Sequence, residues 1–168
     1  MPLSPYVRAM RQKIGHDLLM LQAVTVMLFD DLGQLLLAQA AGTRLWMTIG
    51  GAVEPDESPA DAAVRETWEE TGLLVEPIRL LGVFGGPEFR MTYPNGDAVS
   101  YVATVFQARR IAGQIRPDGA ETTALRFVSR GEAATLPMAA WTREMVDRAF
   151  ESTAAPYFAP ATWRPATM

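Results

Sequence analysis

Three glutamates, Glu66, Glu69 and Glu70, stand at i, i+3 and i+4, the spacing that brings side chains together on one face of a helix. On a helical wheel they fall within an arc of about 100°. Carboxylate oxygens gathered in this way are hard ligands of the kind Mg²⁺ takes, commonly one or two carboxylates completed by substrate phosphates. Like charges at this spacing cost a helix only about a few tenths of a kcal/mol. Taken alone, the trio is therefore an ordinary solvated face, and the residues around it decide whether it does chemistry.

The helix that must carry them is well signposted. Ser58 is a good N-cap, Pro59 suits the first turn, and Asp61 favours the positive helix end. Gly72 supplies a stop at the other end, so the spacing predicts a helix from about Pro59 to Thr71. Ala60, Ala63, Val64, Thr67 and Thr71 gather on a second face suited to packing on a sheet.

Reading outward, the chain runs Gly51, five residues, Glu57, seven residues, then Arg65-Glu66-Thr67-Trp68-Glu69-Glu70-Thr71-Gly72-Leu73. This resembles the Nudix box, G-x5-E-x7-R-E-U-x-E-E-x-G-U with U bulky and apolar, and all seven fixed residues agree. With each residue type near 6% of average usage, chance agreement is on the order of 10⁻⁹ per starting position. Two positions depart from the pattern. Thr67 stands where a bulky apolar residue is asked for, on the core-facing side. Ile49 replaces the proline of the frequent W-x-L-P-G-G entry, in Trp46-Met47-Thr48-Ile49-Gly50-Gly51.

The resemblance implies an α/β fold, the Nudix-type α/β/α sandwich with a mixed β-sheet and a catalytic loop-helix. It implies that Glu66, Glu69 and Glu70 hold Mg²⁺, or Mn²⁺ in its place. It also implies that Arg65 orients a glutamate by pairing and that Glu57 braces the loop through Arg65. Gly51 would let the backbone approach metal or phosphate closely, having no Cβ. The activity implied is hydrolysis of a pyrophosphate bond in a nucleoside diphosphate linked to another group. ADP-ribose, a nucleotide sugar, a dinucleoside polyphosphate and a nucleoside triphosphate all fit, and Pro87, 14 residues past Leu73, does not decide among them. The water's proton goes either to a box glutamate or to Glu121, because many members of the family place an acidic residue beyond the box; Asp118 is a weaker candidate. Arg44 and Arg90 are candidates to contact phosphate, and Phe89, Tyr93 and Tyr101 to stack on a base. His16 has no evident partner in the sequence.

The rest of the chain is read around these residues. Pro5 to Ile14 reads as a helical extension ending at Gly15, and Leu18 to Phe29 as a buried strand. Asp30-Asp31-Leu32-Gly33 reads as a turn, with Gln34 to Gln39 as the hairpin partner. Leu73 to Phe84 is a strand interrupted near Pro77. A second hairpin runs from Phe89 to Tyr93, through Pro94-Asn95-Gly96-Asp97, to Ala98–Ala108. Thr123 to Val128 is a further strand, Ser129 with Glu132 resembles a capping box, Met138 to Phe150 is helical, and the tail from 152 is expected to be irregular.

Composition bounds the rest. The 168 residues suffice for one domain with a real core, expected to span the whole chain. No cysteine is present, which excludes disulfides and thiolate metal sites and fits a reducing compartment; the expected location is cytoplasmic. The net charge of −4 offers no basic footprint for nucleic acid, and the Leu18–Phe29 run is too short to span a bilayer. The expected partner is a small nucleotide-type molecule, with a homodimer possible through the N-terminal helix or the Trp163-containing tail. An acidic protein repels a polyanionic substrate unless cations intervene, which the metal would answer. A nucleotide-sensing module of the same fold that does not cleave is the alternative, disfavoured by the intact acidic set. Isopentenyl-diphosphate isomerases of this fold use a cysteine, absent here.

Overall fold

The computed structural model describes residues 4–151 and 155–166. In chain order the elements are α1 (Pro5–Ile14), β1 (Leu19–Leu28), β2 (Leu35–Ala40), β3 (Trp46–Met47), α2 (Pro59–Thr71), β4 (Leu73–Phe84), β5 (Arg90–Thr92), β6 (Ala98–Gly113), β7 (Thr122–Val128), α3 (Arg130–Thr135), α4 (Ala140–Glu151) and β8 (Tyr157–Phe158). They form the expected mixed α/β architecture. A five-stranded mixed sheet has the order β1-β6-β4-β8, with β5 beside β6, and a three-stranded sheet has the order β3-β2-β7.

The apolar run of β1 is explained by what covers it. It pairs in parallel with β6, and its two faces serve two cores. Val24, Val26 and Leu28 pack with Ala62, Ala63, Leu73 and Val75 on the α2 side. Met27 packs with Phe84, Val105, Met145 and Val146 on the α4 side. From Val24 to Leu28 the strand is buried on both faces and reads as continuous rather than alternating hydrophobicity, whereas Leu18 and Met20 before it are exposed, contrary to the buried strand expected from Leu18.

The expected hairpin between β1 and β2 is corrected. The turn closes through Asp30, whose N–H donates to the Gln34 carbonyl at 2.9 Å, and one bridge joins Phe29 to Leu35. Beyond it the strands part into different sheets. The free edge of β1 is instead taken by the segment after β3: the N–H of Val24 donates to Gly51 and that of Val26 to Ile49, both at 2.9 Å. The tail is also corrected, since β8 pairs in parallel with β4 at Gly82 and Val83. Residues 152–154 of that tail lie outside the described residues. Among the described residues no helix is long and apolar enough to cross a membrane.

α2 has the predicted bounds. Ser58 accepts from the Asp61 N–H, and Gly72 closes the helix in the left-handed conformation at φ 69°, its N–H donating to Trp68. At the position where the motif asks for a bulky apolar residue, Thr67 is fully buried. Its hydroxyl donates to the Ala63 carbonyl at 2.7 Å, so the polar atom is satisfied within the helix.

Candidate functional site

The Gly50–Gly51 corner sets the geometry. Gly50 has φ 143°, and a Cβ there would meet the Val24 carbonyl oxygen at 2.1 Å, so only glycine lets the loop turn against β1. A Cβ on Gly51 would lie 2.6 Å from the carboxylate atoms of Glu66. The glutamate fills the space that a side chain at residue 51 would take. Gly51→Ala is therefore expected to displace the Glu66 carboxylate by roughly 1 Å and cut kcat by roughly 10²-fold. Its melting temperature should stay within about 3 °C of the unchanged protein, because the φ of Gly51 suits any residue; activity and melting curves check both.

Arg65 gathers the first part of the site. Its Nε and Nη2 donate to the two oxygens of Glu57, both at 2.8 Å. Nη2 also donates to the Ala52 carbonyl at 3.0 Å, and Nη1 donates to Glu66 at 2.8 Å and to Glu69 at 3.3 Å. Glu57 in turn accepts from the Glu54 N–H at 3.1 Å. One planar guanidinium thus ties loop, helix and two glutamates together, a fork geometry that an ammonium lacks. The Arg65 hydrogen bonds hold Glu57 below the usual carboxylate range.

The glutamates then separate by environment. Glu66 and Glu70 are buried at 2% and 3% exposure, whereas the Glu69 side chain is 57% exposed and leans on Arg65. Burial is the main cause that raises Glu66, opposed by its Arg65 hydrogen bond, with the charges of Glu69 and Glu121 adding to the rise. Burial also pushes Glu70 well up, reinforced by the charges of Glu66, Glu121 and Asp118 and opposed by the Gly50 backbone N–H. Glu70 Oε2 is buried with no hydrogen-bond partner. A buried, unpartnered carboxylate oxygen beside a second buried carboxylate is costly without a counter-charge. This donor set of hard oxygens fits a divalent cation. Among the described residues, no three acidic or histidine side chains already converge as a complete cage.

The remaining candidates divide. Glu121 stands where its charge reaches both Glu66 and Glu70. Asp118 is in the same loop, its carboxylate accepting from backbone amides. Arg44 is exposed in the loop between β2 and β3, which meets the Glu121 segment through the Ala41 N–H and the Glu121 carbonyl at 2.7 Å. Arg90 and Tyr93 lie elsewhere: β5 is on the far side of β6 from β1, so two strands separate them from the Gly50–Gly51 corner. Phe89 is 4% exposed and packs against Phe84 and Trp141, leaving no free ring face for a base. Tyr101 shares a 2.8 Å hydroxyl contact with Tyr93. His16 has a partner far along the chain, Asp97, at 2.7 Å.

Sequence reasoning did not find the Ala52 carbonyl, the Gly50 amide or the Asp118 brace. Backbone groups carry no residue-type signal. A groove of about 430 Å³ lined by Met20, Gln22, Val53, Pro59, Val102 and Thr104 was also not foreseen; no carboxylate lines it.

Residues 20–149 match the NUDIX domain family model. A Bacillus subtilis (strain 168) protein provisionally named 8-oxo-dGTP diphosphatase is 34% identical over 110 residues, covering 66% of this chain and 67% of the relative. A MutT-like protein of Streptomyces ambofaciens is 32% identical over 100 residues, covering 60% of this chain and 58% of the relative. The crystal structure of an ADP-ribose pyrophosphatase from Streptococcus suis superposes with a TM-score of 0.63 at 24% identity, covering 83% of this chain and 96% of that one. The chain belongs to the Nudix hydrolase family, and its class is that of a Nudix pyrophosphohydrolase.

Proposed function

We propose that the protein hydrolyses a pyrophosphate bond in a nucleoside diphosphate linked to a further group, with Mg²⁺, or Mn²⁺ in its place, as the required cation. The observation that carries this reading is the unpartnered, buried Oε2 of Glu70 next to Glu66 over the side-chain-free Gly51. Glu66 and Glu70 would hold the cation, with Glu69 at the exposed rim, and backbone, water or substrate oxygens would complete the set. Bound there, a divalent cation neutralises the pyrophosphate oxygens and lowers the pKa of water.

The chain's own groups supply the rest. Arg65 fixes the Glu66 carboxylate and Glu57 fixes Arg65. Glu121, half-buried and near both buried glutamates, accepts the proton of the attacking water. The water oxygen bonds to one phosphorus as the bridging P–O bond breaks, leaving two phosphate-bearing products. Arg44, exposed on the adjoining loop, contacts a substrate phosphate. Substrates worth ranking first are an oxidised nucleoside triphosphate and ADP-ribose, which the Bacillus and Streptococcus relatives' names specify.

The test is phosphate release, with a coupled phosphatase, from a panel of these two compounds, a nucleotide sugar and a dinucleoside polyphosphate, each with Mg²⁺, Mn²⁺ or EDTA. Release from one class that EDTA stops is expected. Equal release in EDTA sinks the metal assignment, and no release from any compound by folded protein favours the sensing module.

A further inference from the structure

The loop from 114 to 121 joins β6 to β7 and passes the end of α2. The Arg116 N–H donates to the Thr71 carbonyl at 2.8 Å at one end, and the Glu121 carbonyl is held by Ala41 at the other. Between these anchors a single side chain organises the turn. Asp118 Oδ1 accepts from the N–H groups of Ala120, Glu121 and Thr122 at 3.0, 3.1 and 2.8 Å. Oδ2 makes a longer contact with the Glu121 N–H at 3.4 Å. Gly119, at φ 77°, lets the chain double back, and its N–H donates to the Thr122 carbonyl at 3.0 Å.

The register of β7 adds a second device at the same place. Ala40 pairs with Thr122 and Gln39 with Ala124, leaving Thr123 as an extra residue. A bulge of this kind re-aims the side chains beside it. Thr122, immediately after Glu121, is buried at 1% exposure, so the backbone on the β7 side of Glu121 is fixed as well.

We propose that Asp118 is a positioning residue, whose Oδ1 holds the backbone of residues 120–122 so that Glu121 faces the Glu66–Glu70 pair. This rests on the hydrolase reading and on the role given there to Glu121. The rival role for Asp118 is direct, through its own charge, which also acts on Glu70. The two roles part on one substitution. Asp118→Asn keeps the acceptor oxygen and removes the charge, whereas Asp118→Ala removes both.

Amide hydrogen exchange on the metal-free protein reads the brace without activity. Residues 120–122 should exchange faster in D118A and remain protected in D118N. With the panel compound that is cleaved, D118A should lower kcat by about 10–100-fold, the scale for residues that orient a reacting group, with little change in KM. E121Q should fall similarly, and D118A with E121Q should fall no further than E121Q alone. D118N should keep kcat within about threefold. Unchanged protection of 120–122 in D118A overturns the proposal, as does a D118N variant as impaired as D118A. Loosened amides with undiminished kcat in D118A overturn it too. Full turnover by E121Q removes both this proposal and the role of Glu121, while an inactive E70Q leaves the hydrolase reading standing.

Discussion

Glu70→Gln is expected to abolish turnover and, in the same molecule, to make the metal-free protein more heat-stable. The loss should be on the order of 10³-fold in kcat, the scale of removing a preorganised electrostatic group from a catalytic site. The gain follows from the same burial. Glu70 is 3% exposed, one oxygen is unpartnered, and its carboxylate is pushed well up by burial and then by Glu66. A carboxylate raised in the folded state favours folding most when protonated, below the ordinary carboxylate range. That contribution is lost as pH rises through its folded-state value. Above that folded-state value glutamine removes the ionised form at little change in shape. Melting curves without metal should therefore show E70Q above the unchanged protein by about 2–4 °C for each kcal/mol recovered. The difference should shrink as pH falls and Glu70 takes up its proton. Equal melting temperatures at every pH would contradict this account of the site's electrostatics.

Arg65→Ala should have the second large effect, and through stability first. It deletes the partner of Glu57, which is 16% exposed, and of Glu66, which is 2% exposed. Removing one partner of a largely buried ion pair leaves the other charge uncompensated. A cost of about 2–3 kcal/mol is expected, discounted from the fully buried case because the Arg65 side chain is 30% exposed. That corresponds to a melting temperature lower by about 5–10 °C. The pH dependence has the opposite sign to that of Glu70. Glu57 is lowered by its Arg65 hydrogen bond, so its contribution is present above the ordinary carboxylate value and lost as pH falls through the folded one. R65A should lack this acid-side loss. Arg65→Lys keeps the charge but cannot span Glu57, Glu66, Glu69 and Ala52 together, and should fall between. An R65A protein as stable as the original across pH would show that the network is decorative.

What was legible in the sequence was what local chemistry determines. The bounds of α2 follow from Ser58, Pro59 and Gly72, each acting within one turn of the chain, and the burial of Thr67 follows from helical period. The separation of the three box glutamates was not legible. Equal spacing puts Glu66, Glu69 and Glu70 on one arc, but Glu66 and Glu70 are buried beside the Gly50–Gly51 corner and Glu69 is left at the rim. That depends on segments distant in the chain. The pairing of β1 failed for a like reason: the turn at Asp30–Gly33 is real, but the edge of β1 is claimed by residues 49–52, and edge competition is non-local. The burial of Phe89 was not legible either, because a short segment after Gly85-Gly86 gives no period from which to read it.

Mn²⁺ binding, followed by electron paramagnetic resonance, separates the unchanged protein from E70Q at matched circular dichroism. Bound Mn²⁺ is expected in the unchanged protein, with an affinity at least about tenfold weaker in E70Q. Equal binding by the two would contradict it and move the metal away from the Glu66–Glu70 pair.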